Sequence, residues 1–193
     1  MPEFSSKKIK NTSLQEQLAG RYAAYDVPFW VTPNTFSGRW NRPNSIPTQY
    51  LSLNPETMWA ELIRHESLKT VEELSYVNIP IWVCKLNESN LVDLSSIEKA
   101  QSYGLSPSDL VGENYSPCQE LADLFVKNGY RGVIYPSAAI EGGKNVALFG
   151  QRLMWSSDSR PLFPSAISIY KIGQAKPPPE ILEKVIHFEQ TTT

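Results

Sequence analysis

The sequence predicts a single α+β domain. Its strand-like segments outnumber its helical ones, and the two kinds do not alternate regularly as a doubly wound sheet requires. The chain of 193 residues is 41% hydrophobic and 11% aromatic, enough to bury one sizeable core. No internal repeat or long low-complexity run divides it.

Three parts are expected along the chain. Residues 1–13 are polar and Ser/Lys-rich and read as a flexible segment. Residues 14–173 form the compact domain. Residues 174–193 form a tail, with Lys176-Pro177-Pro178-Pro179, a short helical piece and Thr191-Thr192-Thr193.

In the compact part, Tyr50-Leu51-Ser52-Leu53 alternates with period 2, which turns Leu51 and Leu53 to the core and Tyr50 and Ser52 to the other face. Asn54-Pro55 then supplies an N-cap and a proline for the first helical turn. The helix runs to about His65 and buries a stripe of Met58, Trp59, Leu62 and Ile63. Val77, Ile79, Ile81 and Val83 alternate along a strand whose Pro80 points to an edge position or a bulge. Leu91 to Leu94 reads as a further short strand. Pro117 to Asn128 is a helix with Leu121, Leu124 and Phe125 on one face and Asn128-Gly129 as its stop. "RGVIYPS" and "NVALF" are strands joined by an "EGG" turn, and "ISIYKI" is the last strand.

Composition removes several classes of function. A formal charge of −2 and a pI near 5.8 give no general basic field for a nucleic-acid backbone, so no direct nucleic-acid contact is expected. Cys84 and Cys118 are too few and too far apart for a disulfide framework or a zinc site, and no metal site is expected. The start has no apolar signal core, and no run approaches the ~18 apolar residues of a membrane span, so a cytoplasmic protein is expected. Dinucleotide-fold glycines, a P-loop, a nucleophile elbow and a zinc-protease helix are all absent. With only His65 and His187, a serine or cysteine nucleophile lacks a ready base.

What remains is a compact set. Gly38 allows a tight turn from which Arg39 can project, and a planar guanidinium suits phosphate oxygens. Trp40 and Asn41 beside it suggest a nucleotide-binding edge, with a core position for Trp40 as the alternative. Glu61 lies about 130° from the apolar stripe of its helix, where a solvated glutamate is the bland expectation. Read alone, Tyr50 is a half-exposed strand tyrosine.

The order of these blocks is more specific. "GRWN", then "QYLSL", then "PETMWAELIRH" resembles the signature of the RES domain family, bacterial NAD-consuming toxins. "CQELADLFVKNGYRGVIYPSAAIEGGKNVALF" resembles that family's second block, so the resemblance covers about Arg21 to Ile172. At Asn44-Ser45 the chain departs from the glycine-containing turn of many relatives.

The resemblance implies a fold similar to ADP-ribosyltransferases, with small mixed sheets flanked by helices, and cleavage of the nicotinamide–ribose bond of NAD by phosphorolysis or hydrolysis. It marks Arg39, Tyr50 and Glu61 as catalytic, and Arg21, Tyr22, Trp40, Asn41, Ser137 and Asn145 as NAD-binding. NAD is then a substrate with no resident cofactor, inorganic phosphate is a possible co-substrate, and a cognate antitoxin of Xre type is the expected partner. Transfer of ADP-ribose to a macromolecule and a non-catalytic nucleotide-binding module are the alternatives.

Overall fold

In the computed structural model the described residues are 11–24, 29–155 and 166–187. Residues 1–10 of the expected N-terminal segment and Thr191 to Thr193 of the tail lie outside them. The elements in chain order are β1 (Asn11–Tyr22), β2 (Thr48–Ser52), α1 (Pro55–His65), α2 (Val71–Tyr76), β3 (Ile79–Asp93), α3 (Ile97–Gln101), α4 (Pro107–Val111), α5 (Ser116–Lys127), β4 (Gly132–Pro136), β5 (Lys144–Phe149), β6 (Leu153–Trp155) and β7 (Ala166–Ala175), followed by a 3-10 turn at Pro179–Lys184. The class is α+β, as the irregular alternation predicts.

All seven strands join one mixed sheet in the order β1-β2-β5-β4-β3-β7-β6, and β1 also pairs with β3. That extra pairing closes β1, β2, β5, β4 and β3 into a ring, leaving β7 and β6 as a flap on the other edge of β3. The β3–β4 and β6–β7 pairs are parallel and the rest antiparallel.

The period-2 alternation of the ring strands sorts their side chains into two faces. One cluster takes Ala19, Leu51, Cys84, Leu86, Leu91, Ile134, Val146 and Leu148, so every ring strand contributes to the same inner core. The opposite face is covered by α1 at one end, over Ile81, Ala139 and Ile140, and by α5 and Trp40 at the other, over Val133, Tyr135 and Ala147. Both cysteines are fully buried free thiols, Cys84 inside the ring and Cys118 on the buried face of α5.

Several elements follow their local chemistry closely. The Asn54 side chain accepts from Thr57 N at 2.7 Å, and Met58, Trp59, Leu62 and Ile63 are buried. α5 stops where Asn128 caps it and Gly129 turns left-handed at φ +78°. Asn44 adopts φ +58°, the conformation a turn glycine would supply, and asparagine is among the residues that tolerate it best.

Others differ from the sequence reading. β1 begins at Asn11, inside the segment expected to be flexible, and runs twelve residues. β3 is one strand from Ile79 to Asp93, absorbing the separate strand expected at Leu91 to Leu94. It is central, not an edge. Pro80 is tolerated because it is the strand's second residue, ahead of the β1 ladder that starts at Ile81, and a bulge-like register shift, the other position its presence suggested, follows at Ile81/Trp82. The 3-10 turn of the tail buries Ile181 and Val185 against α1, so this part of the tail belongs to the folded body.

Candidate active site

The side of α1 that carries Glu61 is not solvated. Thr57, Ala60 and Arg64 are 1%, 0% and 7% exposed, and with half-buried Glu61 they form a second stripe at helical spacing. This stripe packs on the turn between β4 and β5. Gly143 permits the approach: a Cβ there would lie 2.7 Å from Thr57 Oγ1 and 2.9 Å from Ser137 Cβ.

The turn and the adjoining strands present donors to the glutamate. Ser137 Oγ donates to Glu61 Oε1 at 2.7 Å, and Asn145 Nδ2 donates to the same oxygen at 2.5 Å. Asn145 is oriented in turn by Ser52 Oγ, which donates to its Oδ1 at 2.8 Å, while Ser137 Oγ accepts from Ala139 N at 3.0 Å. Ser52, Ser137 and Asn145 are all buried. Among the described residues, every hydrogen bond to the carboxylate falls on Oε1, so the group is fixed by one oxygen and can offer the other.

The residues around Arg39 form a second assembly. Gly38 and Asn41 make an isolated bridge, and Tyr50 Oη accepts from Trp40 N at 2.9 Å and donates to Asn41 Oδ1 at 2.7 Å. A Cβ on Gly38 would fall 2.5 Å from that phenol oxygen, so only glycine fits. From α5, Gln119 Nε2 donates to Ser37 Oγ, Gly38 O and Asn41 O. The turn is pinned between β2 and α5.

This changes the reading of four expected site residues. Trp40 is 1% exposed and packs its ring against Tyr135, 5.4 Å between centroids; it is core. Asn41, 3% exposed, spends its side chain on Tyr50 and on the Phe36 and Arg42 carbonyls. Tyr50 does face away from the ring core, but that face is covered by the turn, and burial pushes its pKa above the ordinary phenol value. Arg39 Nη1 and Nη2 donate to the backbone oxygens of Asp109 and Gly112 at 2.8 and 2.9 Å, and its guanidinium lies 4.7 Å from the Tyr115 ring centre. Its fork grips the end of α4.

Arg21 and Tyr22 part company, as neighbours on a strand must. Arg21 lies on the face of Ala19, near Cys84, with Nε and Nη1 buried and without a hydrogen-bond partner; burial lowers its pKa. Tyr22 lies on the α1 side, where burial first and then the charges of Glu61 and Glu66 raise its pKa. Of the pair, Tyr22 belongs with the glutamate.

Two residues not singled out from the sequence also belong there. Tyr135 on β4 is the register partner of Asn145, and burial, then the fields of Tyr50 and Glu61, hold its phenol protonated. Arg64, one turn beyond Glu61, donates to the Val111 and Ile186 carbonyls; burial lowers its pKa while Glu61 opposes that shift. The Thr57, Glu61, Arg64 spacing was the available signal for it. Among the described residues no group of three or more His, Cys, Asp or Glu could hold a metal ion, and no helix is long and apolar enough to cross a membrane.

The chain is a single α+β domain that belongs to the RES domain family, whose model matches residues 17–161. It is similar to the NAD(+) phosphorylase MbcT of Mycobacterium tuberculosis H37Rv and of Mycobacterium bovis, with 25% identity over 105 residues, 53% of this chain and 56% of theirs. The match thus spans about half the length of these curated relatives. In structure it resembles a chain of the M. tuberculosis MbcT–MbcA toxin-antitoxin complex, with a TM-score of 0.66 and 18% identity over 89% of this chain and 90% of that one. That likeness shows the fold.

Proposed function

We propose that the protein degrades NAD by breaking its nicotinamide–ribose bond. The observation that carries this reading is the Glu61 carboxylate, fixed through Oε1 by Ser137 and Asn145 within a RES domain. Nicotinamide leaves a cationic pyridinium as a neutral molecule, taking the C1′–N electron pair, so no general acid is needed. Positive charge then grows on the ribose. A pre-oriented carboxylate stabilises that charge more in the transition state than in the ground state. Tyr22 and Tyr135 would flank the sugar and nicotinamide, and Ser137 and Asn145 would act mainly by holding Glu61.

Inorganic phosphate is the acceptor we favour, giving ADP-ribose 1″-phosphate, with water as the alternative nucleophile; the similarity to a named NAD(+) phosphorylase supports this order. Arg39 contributes by fixing the Asp109–Gly112 segment beside the site. Because such an activity would empty the NAD pool of its own cytoplasm, we propose a cognate antitoxin of Xre type; the toxin-antitoxin complex of the structural relative supports a protein partner. NAD is consumed as substrate and no resident cofactor is required.

The test is incubation of purified protein with NAD, with and without phosphate. Nicotinamide release that accelerates with phosphate and yields ADP-ribose 1″-phosphate is the expected result. Absence of nicotinamide release in both conditions would overturn the proposal, and label from NAD retained on a macromolecule would redirect it to ADP-ribose transfer.

A further inference from the structure

The hydrogen bonds of Glu61 continue into a closed circuit. Glu61 Oε1 accepts from Ser137 Oγ, which accepts from Ala139 N; Ala139 O accepts from Ile186 N at 2.8 Å; Ile186 O accepts from Arg64 Nη1; and Arg64 is three residues along α1 from Glu61. The circuit leaves the helix at the glutamate and returns to it one turn later, through the C-terminal segment.

Packing alone does not account for this path. Ile181 and Val185 already seat the segment on α1, and Lys184 bonds Glu56 at 2.5 Å. The Ile186 side chain is 49% exposed, so its own burial does not hold that residue in place. Val111, whose carbonyl accepts from Arg64 Nη2 at 3.2 Å, is 43% exposed as well. What ties the two backbones to α1 is Arg64, a residue kept 7% exposed at a desolvation cost that an apolar side chain would avoid.

We propose that Arg64 and the Ile186 peptide are positioning groups for Glu61, acting through the Ala139 backbone on Ser137. The tail segment is thereby a working part of the site. The kinetic half of this inference rests on the NAD-cleaving reading; the structural half does not.

The test uses the full chain carrying Arg64→Ala, Arg64→Lys, Ile186→Pro or Ser137→Ala. Proline removes the N–H at 186 and exchanges a half-exposed side chain, and Val185 already has the extended conformation, φ −76° and ψ 127°, that a following proline requires. Amide hydrogen exchange across residues 137–143 is expected to quicken about tenfold in Ile186→Pro and Arg64→Ala, and less in Arg64→Lys. For nicotinamide release, kcat should fall about tenfold or more with KM nearly unchanged. Adding Ser137→Ala to Ile186→Pro should cost much less than the two separate losses combined, because both act on one carboxylate. Unchanged exchange at 137–143 in Ile186→Pro, or losses that simply add, would overturn the proposal. Should Arg64→Ala not fold, Ile186→Pro and Arg64→Lys carry the same comparison. Should the wild type release no nicotinamide, the functional reading falls while the exchange data still decide this one.

Discussion

At the residue scale the proposed chemistry rests on Glu61 and its two donors. Glu61→Gln keeps the size of the side chain and removes its charge, so nicotinamide release is expected to lose roughly 10²-fold or more in kcat while NAD binding by calorimetry persists. A loss confined to KM would mark a binding residue instead. Arg39→Lys is also expected to slow turnover, by about tenfold, because one ammonium cannot span the Asp109 and Gly112 oxygens as a guanidinium does; unchanged rates would show the α4 end to be irrelevant to the site. Glu61, Ser137 and Asn145 could be named from the sequence only because two blocks of residues matched a family in order. Nothing local marked them. Helical periodicity put Glu61 on a polar flank, and a polar flank is ordinarily wet. Alternation gives the correct face for Tyr50 but not what lies upon it, so nothing local showed that Tyr50, Trp40 and Asn41 together brace a turn.

Among the elements, those with complete local signals were legible and those shaped by distant partners were not. α1 has a cap, an early proline and an apolar stripe, and its boundaries follow. Asn54→Ala should lower stability by about 1 kcal/mol, measured by denaturant titration, through loss of the bond to Thr57 N. The β4–β5 turn depends on close approach instead. Gly143→Ala should reduce activity more than it reduces the melting temperature, since a Cβ there pushes on Thr57 and Ser137, the neighbours of Glu61. An equal fall in both would mean that the turn serves the fold alone. β1 escaped the sequence reading for a physical reason: two register shifts and a left-handed Glu16 at φ 50° break its alternation, and much of the strand is exposed. Its pairing is dictated by β3, some seventy residues later.

For the whole molecule, the ring and the loops outside it are locked by a buried ion pair. Arg152 Nε donates to Glu88 Oε1 at 2.8 Å, with both residues under 5% exposed, and Arg131 Nη2 lies 3.2 Å from the other oxygen, within ion-pair reach but not aligned as a hydrogen bond. The Arg152 guanidinium also binds the carbonyls of Phe149, Gln151 and Arg131. Arg152→Met should therefore destabilise the protein by about 3 kcal/mol in thermal or denaturant unfolding, because it leaves the buried Glu88 carboxylate with only the misaligned Arg131 as counter-charge. A change below about 1 kcal/mol would show that water reaches the site. The same long-range construction governs when the candidate site can assemble. The groups joined around the glutamate come from α1, β2, β5, the β4–β5 turn and the segment reaching Ile186, and the ring that supports them closes only when β1 meets β3. A ribosome must have released the chain through Ile186 before they can assemble. An unfinished copy therefore lacks the closed hydrogen-bond circuit around Glu61, and the order of synthesis itself withholds the assembled site until the chain has been made through Ile186.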